Sequence, residues 1–135
     1  MSVSIPKERR SSSPLKIGRV EGYMENEYIL HLKYTASSIT MDDVHNSEKI
    51  RHALAPDRPI HVLTDILGVR STDAAARRHT PHPNTRQIAV IYGSPVSRML
   101  GNVFLRLKGS EFQTRLFSNR TKGIEWLERA GPPTS

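Results

Sequence analysis

The stretch IHVLTDILGVRSTDAAARRH, Ile60 to His79, decides how the rest of the chain is read. It opens on a nearly continuous apolar, β-branched run, the composition of a strand buried on both faces. Asp65 falls near the end of that run, and Ile66, Gly68 and Val69 follow. Ser71, Thr72 and Asp73 then lead into AAARRH, which reads as a short helix capped by Ser71 or Thr72. A buried strand passing into a helix is the unit from which parallel sheets are built.

The same unit recurs on the C-terminal side. TPHPN, Thr80 to Asn84, breaks the short helix. RQIAVIYG, Arg86 to Gly93, reads as a second buried strand running into a helix, and QTRLFS, Gln113 to Ser118, as a third, shorter one. TKGIEWLERA, Thr121 to Ala130, closes as a helix with Ile124, Leu127 and Ala130 on one side and Trp126 packed against the sheet. Gly131, Pro132 and Pro133 stop it.

Upstream, Leu15 to Thr35 reads as two antiparallel strands around Glu25-Asn26-Glu27. In YILHLKY, Tyr28, Leu30, Leu32 and Tyr34 share one face and His31 and Lys33 the other, the alternation of a half-covered strand. A helix follows over TMDDVHNSEKIRHAL, with Thr40 as N-cap, Asp43 three residues on, and Asp42 and Asp43 suited to its positive end. The turn APDRP, Ala55 to Pro59, ends it. These elements predict an α/β domain: a mixed, largely parallel sheet of about five strands, opened by an antiparallel hairpin, with about four helices and right-handed crossovers. One domain spans residues 15–131, after a basic, Ser-rich tail (1–14) expected to be disordered and before a short C-terminal tail (132–135).

Composition removes several function classes. No stretch approaches the roughly 18 to 20 apolar residues of a membrane span, and MSVSIPKERRSSSP has no apolar signal core, so a cytoplasmic protein is expected. With no Cys there is no disulfide framework, thiolate nucleophile or Cys-based zinc site. The six histidines lack metal-ligand spacing, so neither a metal nor a cofactor is expected. The net charge of +7 favours acidic partners. Nucleic acid is not the expected one, because helix-turn-helix, zinc-finger and RNA-binding aromatic patterns are missing.

At TDILGVRSTDAAA, Thr64 to Ala76, the chain resembles the STAS domain of bacterial anti-sigma-factor antagonists. Asp65, Ile66, Gly68, Val69 and Asp73 match that family's pattern in register. The resemblance implies a STAS-like fold over about residues 15–130. The family's phosphorylated serine falls on Ala74, its next serine on Ala75 and its glycine on Ala76. Alanine accepts no phosphate, so the usual phospho-switch is expected to be lost unless Ser71 or Thr72 takes the role. GSPVSRMLGNVFL, TRLF and WL, within Ile88 to Trp126, are similar to an uncharacterised bacterial family of STAS/SEC14-like domains. That likeness implies the fold and assigns no activity.

In GSPVSR, Gly93 allows a sharp exit from the strand, Ser94 can cap, and Pro95 suits the first helical position. The free amides there, with Ser97 and Arg98, can hold an anion, although no P-loop or dinucleotide glycine pattern is present. Along the helix Val96, Met99, Leu100, Val103, Phe104 and Leu107 form the expected core face. Opposite lie the rows Ser97–Gly101–Leu105 and Arg98–Asn102–Arg106. Gly101, Asn102, Leu105 and Arg106 therefore mark a candidate contact surface for a protein partner or a second copy, most simply a dimer.

A parallel sheet gathers its binding loops at the strand C-termini. That edge should collect Asp65, Ser71, Thr72, Ser94, Ser97, Arg98 and Arg120. Hydroxyls and arginines without a nucleophile and base suit recognition, so no catalytic residue is expected. The leading expectation is a non-enzymatic regulatory module that binds a protein partner. The alternative is a domain that holds a small apolar or anionic molecule between sheet and helices, which requires a cavity.

Overall fold

The computed structural model of the protein describes residues 14–79, 82–100 and 113–133. Residues 1–13, 80–81, 101–112 and 134–135 lie outside them. So do Gly101, Asn102, Leu105 and Arg106 of the candidate contact surface, and Val103, Phe104 and Leu107 of the expected core face.

The hairpin region divides into three strands: β1 (Leu15–Ile17), β2 (Val20–Met24) and β3 (Ile29–Tyr34). The sequence reading joined the first two. They separate at Gly18, whose φ of 59° lets the chain reverse between Ile17 and Val20. β2 and β3 are antiparallel around Asn26, whose side-chain oxygen accepts from the amides of Tyr28 and Ile29. β4 (Ser38–Ile39) precedes α1 (Met41–Leu54), and β5 (Ile60–Asp65) follows it. Thr40 and Asp43 form the expected capping box at the start of α1.

β6 (Ser71–Thr72) and α2 (Ala74–Arg77) correct the predicted cap. Ser71 and Thr72 pair in parallel with Ser38 and Ile39, so their backbone belongs to a small ladder. The helix is capped one residue later by Asp73, whose carboxylate accepts from the Ala76 amide at 2.7 Å. β7 (Thr85–Ile91) leads into α3, helical over residues 95–100. β8 (Gln113–Phe117) and α4 (Arg120–Ala130) complete the chain.

Six strands form the main sheet in the order β1-β2-β3-β5-β7-β8. The first two pairings are antiparallel and the remaining three parallel. Side chains on the two faces meet different helices. Leu30, Leu32, Ile60 and Val62 pack with Ile50 of α1. Ile29, Leu63, Ala89 and Ile91 pack with Leu127 of α4. Both faces of β5 are therefore covered, as its apolar run requires. α1 lies close on β2 because position 22 is glycine: a Cβ there would stand 2.5 Å from Ile50 Cγ2.

Two expected exposures reverse. His31 is 5% exposed rather than on an open face, because Tyr23, Arg120 and Asp65 close over it. Met99 is 61% exposed rather than in the core. Ser97 is drawn completely inside in its place, while Leu100 keeps contact with the cluster around Val69 and Val90.

Candidate functional site

The strand C-termini bring the predicted edge residues into the same region, but most are engaged with the fold. Asp65 is buried and accepts from the Leu67 amide at 3.0 Å. Burial pushes its carboxyl up, but His31, the Leu67 amide and Lys33 together outweigh this and hold it below the ordinary carboxylate range. Ser94 and Ser97 cap α3 reciprocally. Ser94 Oγ accepts from the Ser97 amide at 3.1 Å, and Ser97 Oγ accepts from the Gly93 and Ser94 amides at 2.9 and 3.0 Å. Ser71 is exposed on β6.

Arg120 turns away from this edge. Its guanidinium donates to the Tyr23 hydroxyl and to Glu25, across from α4 to β2. Tyr23 also lies 2.6 Å from His31 Nδ1, while His31 Nε2 stands 3.8 Å from Asp65 Oδ2. This chain of Arg120, Glu25, Tyr23, His31 and Asp65 ties the start of α4 to the hairpin and to β5. Ser94 and Arg98 alone of the predicted set share a shallow hollow, with Tyr92, Pro95 and Met99. Arg98 lies over the Tyr92 ring, 5.7 Å from its centroid.

A different feature occupies the α1 face of the sheet. A cavity of about 170 Å³ runs between β3, β5 and β7 on one side and α1 and α2 on the other. Leu30, Leu32, Val62, Ile88 and Val90 form its floor, and Val44 and Ala76 part of its roof. Tyr34 and Ser47 stand in its wall, and burial raises the Tyr34 phenol above its ordinary value. Thr114 contributes a hydroxyl that is buried without a hydrogen-bond partner among the described residues.

Arg51 belongs to the same wall and is 6% exposed. It donates to Thr85 Oγ1 at 2.9 Å and to the Arg58 carbonyl at 3.4 Å, both neutral acceptors. Burial, then the like charge of Arg86, pushes its guanidinium down to about 10. Burial and the charge of Arg51 also hold the His82 imidazole below its ordinary value. Its Nδ1 accepts from the Asn84 amide at 3.0 Å, which fits a neutral ring. Glu48 is directed to His79, with 3.2 Å between them.

The sequence reading did not single out Arg51, Thr85, Tyr34 or Thr114. A signal for the first was present. Val44, Ser47, Arg51 and Leu54 follow helical spacing on the inward side of α1, so a basic residue interrupts a core stripe. No group of three or more His, Cys, Asp or Glu residues able to hold a metal occurs among the described residues. Among them, too, no helix is long and apolar enough to cross a membrane.

Sheet order, helix placement and the antiparallel opening define an α/β domain of the STAS-like, SpoIIAA-like class. A similar architecture occurs in the crystal structure of an uncharacterized DUF3478-family protein with a SpoIIAA-like fold from Shewanella loihica PV-4. The two superpose with a TM-score of 0.57 at 17% identity, over 86% of this chain and 99% of that one. The chain itself belongs to the family described as domain of unknown function DUF7793, whose pattern matches residues 23–130. No curated protein matches it.

Proposed function

We propose that this domain is a non-enzymatic binding module that holds a small, largely apolar molecule between its sheet and helices α1 and α2. The cavity of about 170 Å³ carries the reading. It is on the order of the 150 Å³ apolar cavity that takes up benzene, and smaller than the roughly 300 Å³ and more of a drug-sized site. Its walls combine apolar side chains with a few polar groups, the usual make-up of a small-molecule site. The edge predicted from sequence offers less, since Ser94, Ser97, Asp65 and Arg120 are committed to capping and internal contacts.

Titration of ¹⁵N-labelled protein with benzene and hexan-1-ol tests the reading. Amide shifts should concentrate on Leu30, Val62, Ile88 and Val90 and saturate. Absence of shifts there at saturating probe would refute it.

A protein partner at the strand C-termini is a second reading, favoured by the exposed Leu67 (46%) against Gly93 and the exposed Met99 (61%) beside Arg98. Ala74 and Ala75, which accept no phosphate, stand in the first turn of α2 and support a module without the phospho-switch on either reading. Incubation with cellular kinases should place no phosphate on Ser71 or Thr72, whose backbone is held in β6. Phosphate found on either would restore the switch.

A further inference from the structure

Arg51 poses a problem that the apolar cavity alone leaves unsolved. A buried charge is normally paired, because the interior replaces its hydration poorly. None of the ion pairs among the described residues includes Arg51. A guanidinium carries five N–H donors, and two neutral acceptors meet this one. The charged group that acts on it most is Arg86, of the same sign. Glu48, one turn earlier on α1, is directed to His79. The cavity is thus apolar over most of its surface, with Arg51 and Thr85 in its wall and Arg77, His82 and the Glu48–His79 pair also lining it.

We infer that the ligand is a small organic carboxylate whose apolar body fills the cavity and whose carboxylate pairs with Arg51. The inference rests on the ligand-binding reading above. It specifies that reading by charge and by shape. A planar carboxylate matches two parallel N–H groups of a guanidinium, and such charge-assisted pairs are the strong ones. The apolar floor of Leu30, Val62 and Ile88 disfavours a dianionic, heavily hydrated phosphate. Thr85 is already oriented by Arg51 and lines the same wall, so its hydroxyl is placed to help fix the carboxylate. The volume suits a body near the size of a benzene ring or a short alkyl chain.

The test is calorimetric and NMR titration of the full-length protein at pH 7.5 with matched probes. Benzoate and hexanoate are compared with benzyl alcohol and hexan-1-ol, on wild type and on Arg51→Met. Wild type should bind the acids about tenfold or more tightly than the alcohols, the worth of a charge-assisted hydrogen bond. Arg51→Met should lose that preference while keeping its affinity for the alcohols. Wild type that binds acids and alcohols alike overturns the inference and leaves the cavity reading standing. Wild type that binds neither overturns both. Carboxylate preference that survives in Arg51→Met overturns the assignment to Arg51. If Arg51→Met does not fold, the comparison on wild type still decides, and Arg51→Lys, which keeps charge but loses the fork, should bind the acids at intermediate strength.

Discussion

Replacing Arg51 by Met should make the ligand-free protein more stable. Met has similar length, fills the stem's place along α1 and carries no charge. Arg51 makes two hydrogen bonds to neutral acceptors, at 2.9 and 3.4 Å. Against them stands a guanidinium pushed down to about 10 by burial and Arg86. That depression means that the fold disfavours the charged state. Arg51→Met should therefore gain about 1 kcal/mol, the low end of the range found when buried ion pairs give way to apolar residues of similar volume. For a domain of this size the change raises Tm by about 4 °C. The sign can be checked against pH. A base whose folded value is lowered destabilises the fold fully at any pH below that value, so the gain should be constant from pH 6 to 8. Urea unfolding measures it, with protein first stripped of bound molecules by denaturation and refolding. Trp126 is the sole tryptophan and packs 5.6 Å from Phe117 on the opposite side of the sheet, so the probe is remote from the change. A variant less stable than wild type by 1 kcal/mol or more would refute the reasoning, because it would mean that Arg51 is well paired in the ligand-free protein.

Other expected outcomes test the frame around the cavity. Gly22→Ala should destabilise by about 1–3 kcal/mol through overpacking against Ile50 Cγ2, and Ile50→Leu, which has no second methyl branch on its Cβ, should recover part of the loss in thermal melts. Asp73→Ala removes the cap of α2 and should cost about 1 kcal/mol, read from urea midpoints. Asp65 is held below the ordinary carboxylate range, so its stabilisation is present above that range and disappears as pH falls through the folded value. The stability gap between wild type and Asp65→Asn should therefore be largest near pH 6 and close toward pH 3. His61 is lowered by burial while Nε2 donates to the Gly131 carbonyl at 2.8 Å. Acidification from pH 7 to 5 should consequently destabilise wild type more than His61→Gln, measured by the same titration.

The sequence by itself determined the local elements. The capping box of Thr40 and Asp43, the cap at Ser94 with Pro95 behind it, and the apolar runs of β5 and β7 are interactions within about four residues or periodic patterns along one segment. From these the order of strands and helices follows, and with it the parallel core of the sheet. Tertiary structure decided what depends on distant partners. Ser71 and Thr72 look like caps until Ser38 and Ile39 pair with them. His31 looks exposed until Arg120, 97 residues from its contact Tyr23, closes over that face. Arg51 is an ordinary helix residue in sequence. Its acceptor Thr85 lies 34 residues away, and the cavity beside it is bounded by three strands and two helices. Whether a charge is solvated or buried without a partner is a property of the assembled surfaces around it, and no local pattern encodes those surfaces.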